Sequence, residues 1–107
     1  DESIARGNRY RDAGCDGFFV PKVRAAEEIR AIAAAVALPL NVLVMPGLAP
    51  VAELQALGVR RVSAGSGIAA AALRVTARAA RQFLEEGRYE AMFETSVEYR
   101  AINDLFR

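Results

Sequence analysis

Asn41-Val42-Leu43-Val44-Met45-Pro46-Gly47, then Pro50 to Gly58, then Arg61-Val62-Ser63-Ala64 is the stretch that decides the fold. The run from Asn41 to Met45 is short and apolar after its first residue, and Pro46-Gly47 closes it, which reads as a strand. Pro50 fits the first turn of a short helix, Val51–Leu57, and Gly58 stops that helix. Arg61–Ala64 is a second strand. Two strands joined through a helix form a parallel pair with a right-handed crossover.

The same pattern extends in both directions. Upstream, Ile4, Gly7, Tyr10 and Ala13 lie near one face of a first helix, and Gly14 ends it in a left-handed conformation. Gly7 should cost that helix about 1 kcal/mol relative to Ala. Phe18-Phe19-Val20, ended by Pro21, is a further apolar run that suits a doubly covered strand. Ile29, Ile32, Ala33 and Val36 then mark the core-facing stripe of a helix that Pro39 ends. Strand starts near Phe18, Val42 and Val62 are about 20–24 residues apart, the spacing of a βα repeat. Downstream, Ser66 is placed to cap a long helix, Ile68–Glu86, with an expected buried stripe of Ala69, Leu73, Thr76, Ala80 and Phe83, and Gly87 stops it. Tyr89–Arg107 reads as one or two short helices.

The chain has 107 residues, 53% of them hydrophobic, so it can bury a core. It is well short of the roughly 250 residues of a whole β/α barrel. A net charge of +1 gives no reason to expect nucleic acid or an acidic membrane as partner. One cysteine, Cys15, and no histidine argue against a Cys/His nucleophile pair or a zinc site. No secretory signal or membrane span is visible, so a reduced, cytoplasmic location is the default expectation. The chain opens on Asp1, as a cut piece or a processed start would. The two outer strands carry few of the charges and prolines that protect natural sheet edges, which favours a missing partner half over a free-standing domain.

In parallel α/β folds function gathers at the carboxyl ends of strands. Here these are Pro21-Lys22, Met45-Pro46-Gly47 and Gly65-Ser66-Gly67. Lys22 could neutralise an acidic substrate, or be an ordinary surface lysine, the simpler reading. Backbone amides at Gly65-Ser66-Gly67 could hold a phosphate, phosphonate or carboxylate. More simply, Ser66 caps the helix, a contribution of about 1 kcal/mol, and the glycines make the turn. Ser63 has no His or Lys to activate it and reads as a structural hydroxyl. Asn41 opens its strand, on the stability side, and is not a catalytic candidate. Arg74, Arg78 and Arg81 share a helix face that reads as solvated, with Arg81 pairing Glu85 at i+4. The paired acids, Asp1-Glu2, Glu27-Glu28 and Glu85-Glu86, lie away from the strand tips, so no Mg²⁺ site or acid/base constellation is expected within the chain.

The segment from Tyr10 to Pro21 resembles the helix-to-strand step of the isocitrate lyase/phosphoenolpyruvate mutase family, and so do Pro39–Leu43, Val51–Leu54, Leu57–Ser63, the Gly65-Ser66-Gly67 turn and the tail from Glu86 onward. The resemblance spans nearly the whole chain. It implies α/β architecture: the C-terminal portion of a TIM-type (β/α)8 barrel, about three parallel strands (six, seven and eight) with flanking helices, and a helical tail. The partial barrel is expected over residues 1–87 and the tail over 88–107.

It also implies a fragment of a Mg²⁺-dependent lyase or mutase acting on C–C or P–C bonds of small 2-oxo or 2-hydroxy carboxylates or phosphonates. The metal ligands and substrate-gripping Arg would lie on earlier strands, so this piece alone would be inactive. The alternative is a non-catalytic scaffold or oligomerisation piece derived from such a barrel. The family often exchanges its last helix between subunits, which implies a homo-oligomer through Ile68–Glu86 and the tail. Lyase members place Glu where Lys22 stands, and Asn and Thr near Leu43–Gly47, so this chain departs from them in specificity-bearing positions. Cys15, where relatives have a small residue, reads as packing. Lys22, Met45, Pro46, Gly65 and Ser66 are the expected pocket-rim residues, with no catalytic or metal-binding residue among them.

Overall fold

The computed structural model describes residues 2–94 and 96–107, so Asp1 of the Asp1-Glu2 pair lies outside the described residues. The chain forms two compact units, residues 1–65 and 66–107. The first contains α1 (Glu2–Asp12), β1 (Phe18–Val20), α2 (Ala26–Ala35), β2 (Leu40–Leu43), α3 (Val51–Ala56) and β3 (Val59–Ser63). The second contains α4 (Gly67–Glu86), α5 (Glu90–Glu94) and α6 (Tyr99–Asp104).

The three strands are parallel, in the order β1-β2-β3. Alternation of side chains gives the sheet two unlike faces. Phe18, Leu40, Val42 and Val59 are buried with Ile29, Ile32 and Val36 of the α2 region and Leu54 and Leu57 of the α3 region. Ile29 and Val42 are fully enclosed. Each such side chain contributes about 1.5–3 kcal/mol through the water it sheds. The stripe expected on α2 is therefore the core, and Ala33 packs at its margin.

The opposite face carries Phe19, Asn41 and Arg61 in register, then Leu43 beside Ser63. Phe19 stays 45% exposed. The expectation of a doubly covered strand at Phe18–Val20 thus holds for one face only, because the buried hydrophobic cluster of the first unit lies on the helix side. β2 starts at Leu40 and ends at Leu43, and β3 starts at Val59, two residues before the expected Arg61. The pairing slips between Leu40↔Val59 and Asn41↔Arg61, leaving Arg60 as an extra residue on β3.

Gly7 is buried inside α1. A Cβ there would lie 2.8 and 2.9 Å from the Val36 γ-methyls and 3.0 Å from Phe18 Cε1. The glycine that weakens the helix is thus what lets α1 approach the core. Tyr10 continues this contact, meeting the Phe18 ring edge-on with centroids 6.1 Å apart. Gly14 ends α1 with φ +90°, as expected. Cys15 is exposed, so its expected packing role is not seen: it follows the chain reversal and faces outward.

In the second unit the stripe expected to be buried on α4 is open. No residue of α4 is buried, and Leu73 and Phe83 are 69% and 50% exposed. Among the described residues nothing buries that stripe. Arg81 and Glu85 form no ion pair among the described residues; Arg78 instead meets Glu94 at 2.7 Å, where α5 brings a carboxylate within reach. Gln82 Oε1 accepts from the Ala91 amide at 2.8 Å, and Ala91 is buried against this junction. The tail forms two short helices, α5 and α6, as expected.

Candidate functional site

Val20, Val42 and Val62 stand in register on neighbouring strands; β1 ends there, and β2 and β3 end one residue later at the paired Leu43 and Ser63. Lys22 sits exposed in the turn after β1, next to buried Val23, which pins the loop to the core. It forms no ion pair among the described residues. After β2, the Val44 amide donates to the Ser63 carbonyl at 2.8 Å, carrying the β2–β3 pairing one residue further. Met45 is half-buried, and its carbonyl accepts from Leu48 at 3.1 Å, closing a turn that presents Pro46 and Gly47 outward.

After β3, Gly65 takes φ +55°, and a Cβ there would lie 2.9 Å from Leu43 Cδ1. Both observations require glycine. Ser66 occupies the cap position of α4, and its carbonyl accepts from Ala70 at 2.8 Å. Its side chain makes no capping hydrogen bond. The expected side-chain cap is therefore absent: with ψ 2° the backbone lacks the extended conformation usual for a capping side chain. Lys22, Met45, Pro46 and Gly65 follow the ends of adjacent strands, and Ser66 follows Gly65 in the chain.

Below these tips, Asn41 is 3% exposed and pairs with Ser63: Nδ2 donates to Oγ at 3.0 Å, and the hydroxyl donates to Oδ1 at 3.1 Å. Ser63 is thus the structural hydroxyl expected of it. The pairing across two strands was not visible in the sequence, since it depends on register. Arg61 was also missed; counting back two residues from Ser63 places it on the same face.

Among the described residues no group of three or more His, Cys, Asp or Glu gathers to hold a metal ion. The Glu90 carboxyl is lowered from its ordinary range, first by the backbone amide of its own residue and then by Arg88, against an opposing desolvation effect. Arg6 is raised by hydrogen bonding to Glu2. Neither belongs to a strand-end turn. No helix among the described residues is long and apolar enough to cross a membrane.

A protein of Mycobacterium tuberculosis strain H37Rv and one of strain CDC 1551, both uncharacterized, are each 44% identical to this chain over 79 residues, 74% of this chain. The chain spans only 30% of their length. A crystal structure from Burkholderia cenocepacia described as a lyase/mutase matches with a TM-score of 0.89 and 42% identity, over 99% of this chain and 38% of that one. A second from the same organism, described as a phosphonomutase, matches with a TM-score of 0.72 and 39% identity, over 77% of this chain and 33% of that one. The phosphoenolpyruvate phosphomutase of Streptomyces platensis subsp. rosaceus shares the fold with a TM-score of 0.78 at 22% identity, over 98% of this chain and 38% of its own. The three parallel β/α units are thus a portion of a TIM-type barrel. The phosphoenolpyruvate phosphomutase family model matches residues 1–84, and the chain belongs to that family, the isocitrate lyase/phosphoenolpyruvate mutase group.

Proposed function

We propose that this chain is one part of a barrel enzyme that cleaves or rearranges C–C or P–C bonds in small 2-oxo or 2-hydroxy carboxylates or phosphonates. The observation that carries this reading is the row of strand-end turns, held in register by Val20, Val42 and Val62, in a chain of this family. In such a barrel Lys22 would draw the anionic end of the substrate, Met45 and Pro46 would form an apolar lip, and the Gly65-Ser66 turn would offer backbone amides free of a side-chain cap.

The family implies Mg²⁺, which would stabilise an enolate-like charge. The described residues do not fit that role, because no cluster of carboxylates lies among them. The metal would be held by acids outside residues 1–107, and this chain's own part is to bind and orient. The apolar residues left open on α4 and the tail, Leu84 at 79% and Phe106 at 84% exposure among them, support a homo-oligomer built through this region. A cytoplasmic location goes with this reading.

The test is turnover by the full-length protein on a panel of 2-oxo and 2-hydroxy carboxylates and phosphonates, with Mg²⁺ and with a chelator. Metal-dependent product formation is expected, with a raised KM in Lys22→Ala. A full-length protein that is folded and oligomeric yet inert on the whole panel would favour the non-catalytic scaffold instead.

A further inference from the structure

Arg61 lies on the face of the sheet opposite the core formed with α2 and α3, in register with buried Asn41 and with Phe19. That face is the inward one when a β/α sheet closes, since the helices occupy the outside. Phe19 is nearly half exposed here, while its neighbour Phe18, on the helix side, is 7% exposed. The solved neighbours are more than twice as long as this chain, and a closed wall would cover the face.

A guanidinium enclosed in this way needs an anion, because an unpaired buried charge is far too costly. Among the described residues Arg61 has no ion-pair partner. Asp16 shares a groove with Arg60 and Arg61, yet no ion pair forms between Asp16 and either arginine among the described residues. Asn41 and Ser63 already satisfy each other. Arg61 also sits two residues, roughly 7 Å, below Ser63 toward the amino ends of the strands. That is the stabilising layer of a barrel, not the layer that meets substrate.

We infer that Arg61 is one half of an internal ion pair, whose other half is an inward-pointing carboxylate from barrel residues outside 1–107. The pairing would fix this slice of the wall against the remainder. It rests on the barrel architecture and not on the proposed activity, so an inert protein would leave it standing.

A crystal structure of the full-length protein tests it directly. The expected result is an Asp or Glu from outside residues 1–107 with an oxygen within about 4 Å of the Arg61 guanidinium. Arg61 reaching only water, a bound anion or Asp16 overturns the inference. In denaturant titration of the full-length protein, Arg61→Met should lower the folding equilibrium constant by about a hundredfold or more. Arg60→Met, at the extra residue, should change it about threefold or less. Equal small effects from both overturn the inference as well.

Discussion

Asn41 and Ser63 join the inward faces of β2 and β3 through a reciprocal side-chain pair, Nδ2 to Oγ at 3.0 Å and Oγ to Oδ1 at 3.1 Å. Asn41 is otherwise closed off from water, so Ser63 is what makes its burial tolerable.

Ser63→Ala should therefore destabilise the fold by about 1–3 kcal/mol, the cost of an unsatisfied buried amide. Adding Asn41→Leu removes that orphaned group and should restore part of the loss. Urea titration of the two single variants and the double variant measures the coupling; strictly additive effects would count against the pair.

Gly7→Ala sets two effects against each other. Alanine favours the helix by about 1 kcal/mol. Its methyl, however, would meet the Val36 γ-methyls at under 3 Å, and Val36 is buried with little room to retreat. Overpacking of about 1–3 kcal/mol should outweigh propensity and lower Tm. Val36→Ala in the same chain should relieve the clash, so Gly7→Ala should cost less in that background.

Ile29→Ala should cost about 2–5 kcal/mol, since Ile29 is wholly enclosed between α2 and the sheet. Leu84→Ala, at 79% exposure on α4, should leave the stability of this chain alone within about 0.5 kcal/mol. Thermal denaturation of both variants checks the contrast.

Cys15 should react with a bulky thiol reagent in the absence of denaturant, because it is exposed just beyond the end of α1. Stoichiometric labelling of the folded chain, followed by mass, is the expected result. Labelling that requires urea would return Cys15 to a packing role.

The Glu90 carboxyl should titrate below the ordinary glutamate range in a carbon-detected NMR titration. Its folded value is depressed relative to the unfolded chain. Its contribution is therefore present above the unfolded value and lost as pH falls through the folded one. Arg88→Gln should shift the midpoint partly back upward, and no more than partly, since the backbone amide is the larger cause.

Much of the fold could be read in the residues themselves. The Ile29, Ile32, Val36 stripe, the Gly14 stop and the three strands each rest on local periodicity or local backbone preference; the stripe and the stop are where the pattern puts them, and the strand ends fall within two residues of it. The departures arise where a residue's environment depends on more than its own element. Phe19 and the α4 stripe carry apolar residues that the described residues leave exposed, so periodicity named the face and not its burial. The Arg81–Glu85 expectation considered a single helix, whereas Glu94 of α5 captures Arg78 from outside it. The strand-end turns were legible because proline and glycine punctuate them. The Asn41–Ser63 pair was not, because only the register of two strands brings residues 41 and 63 together.

The extra residue at Arg60 acts as a change of parity within β3. Were Arg60 to take a regular place in the ladder, a strand that starts with Val59 toward the helices would turn Val62 the other way. Ser63 would then point into the hydrocarbon packed beneath α3, and Asn41 would lose its mate. Deleting that one arginine would thus leave plain alternation from Val59 to Arg61 and keep Val62 and Ser63 on their present faces, whereas forcing it into the ladder would turn the second half of the strand inside out.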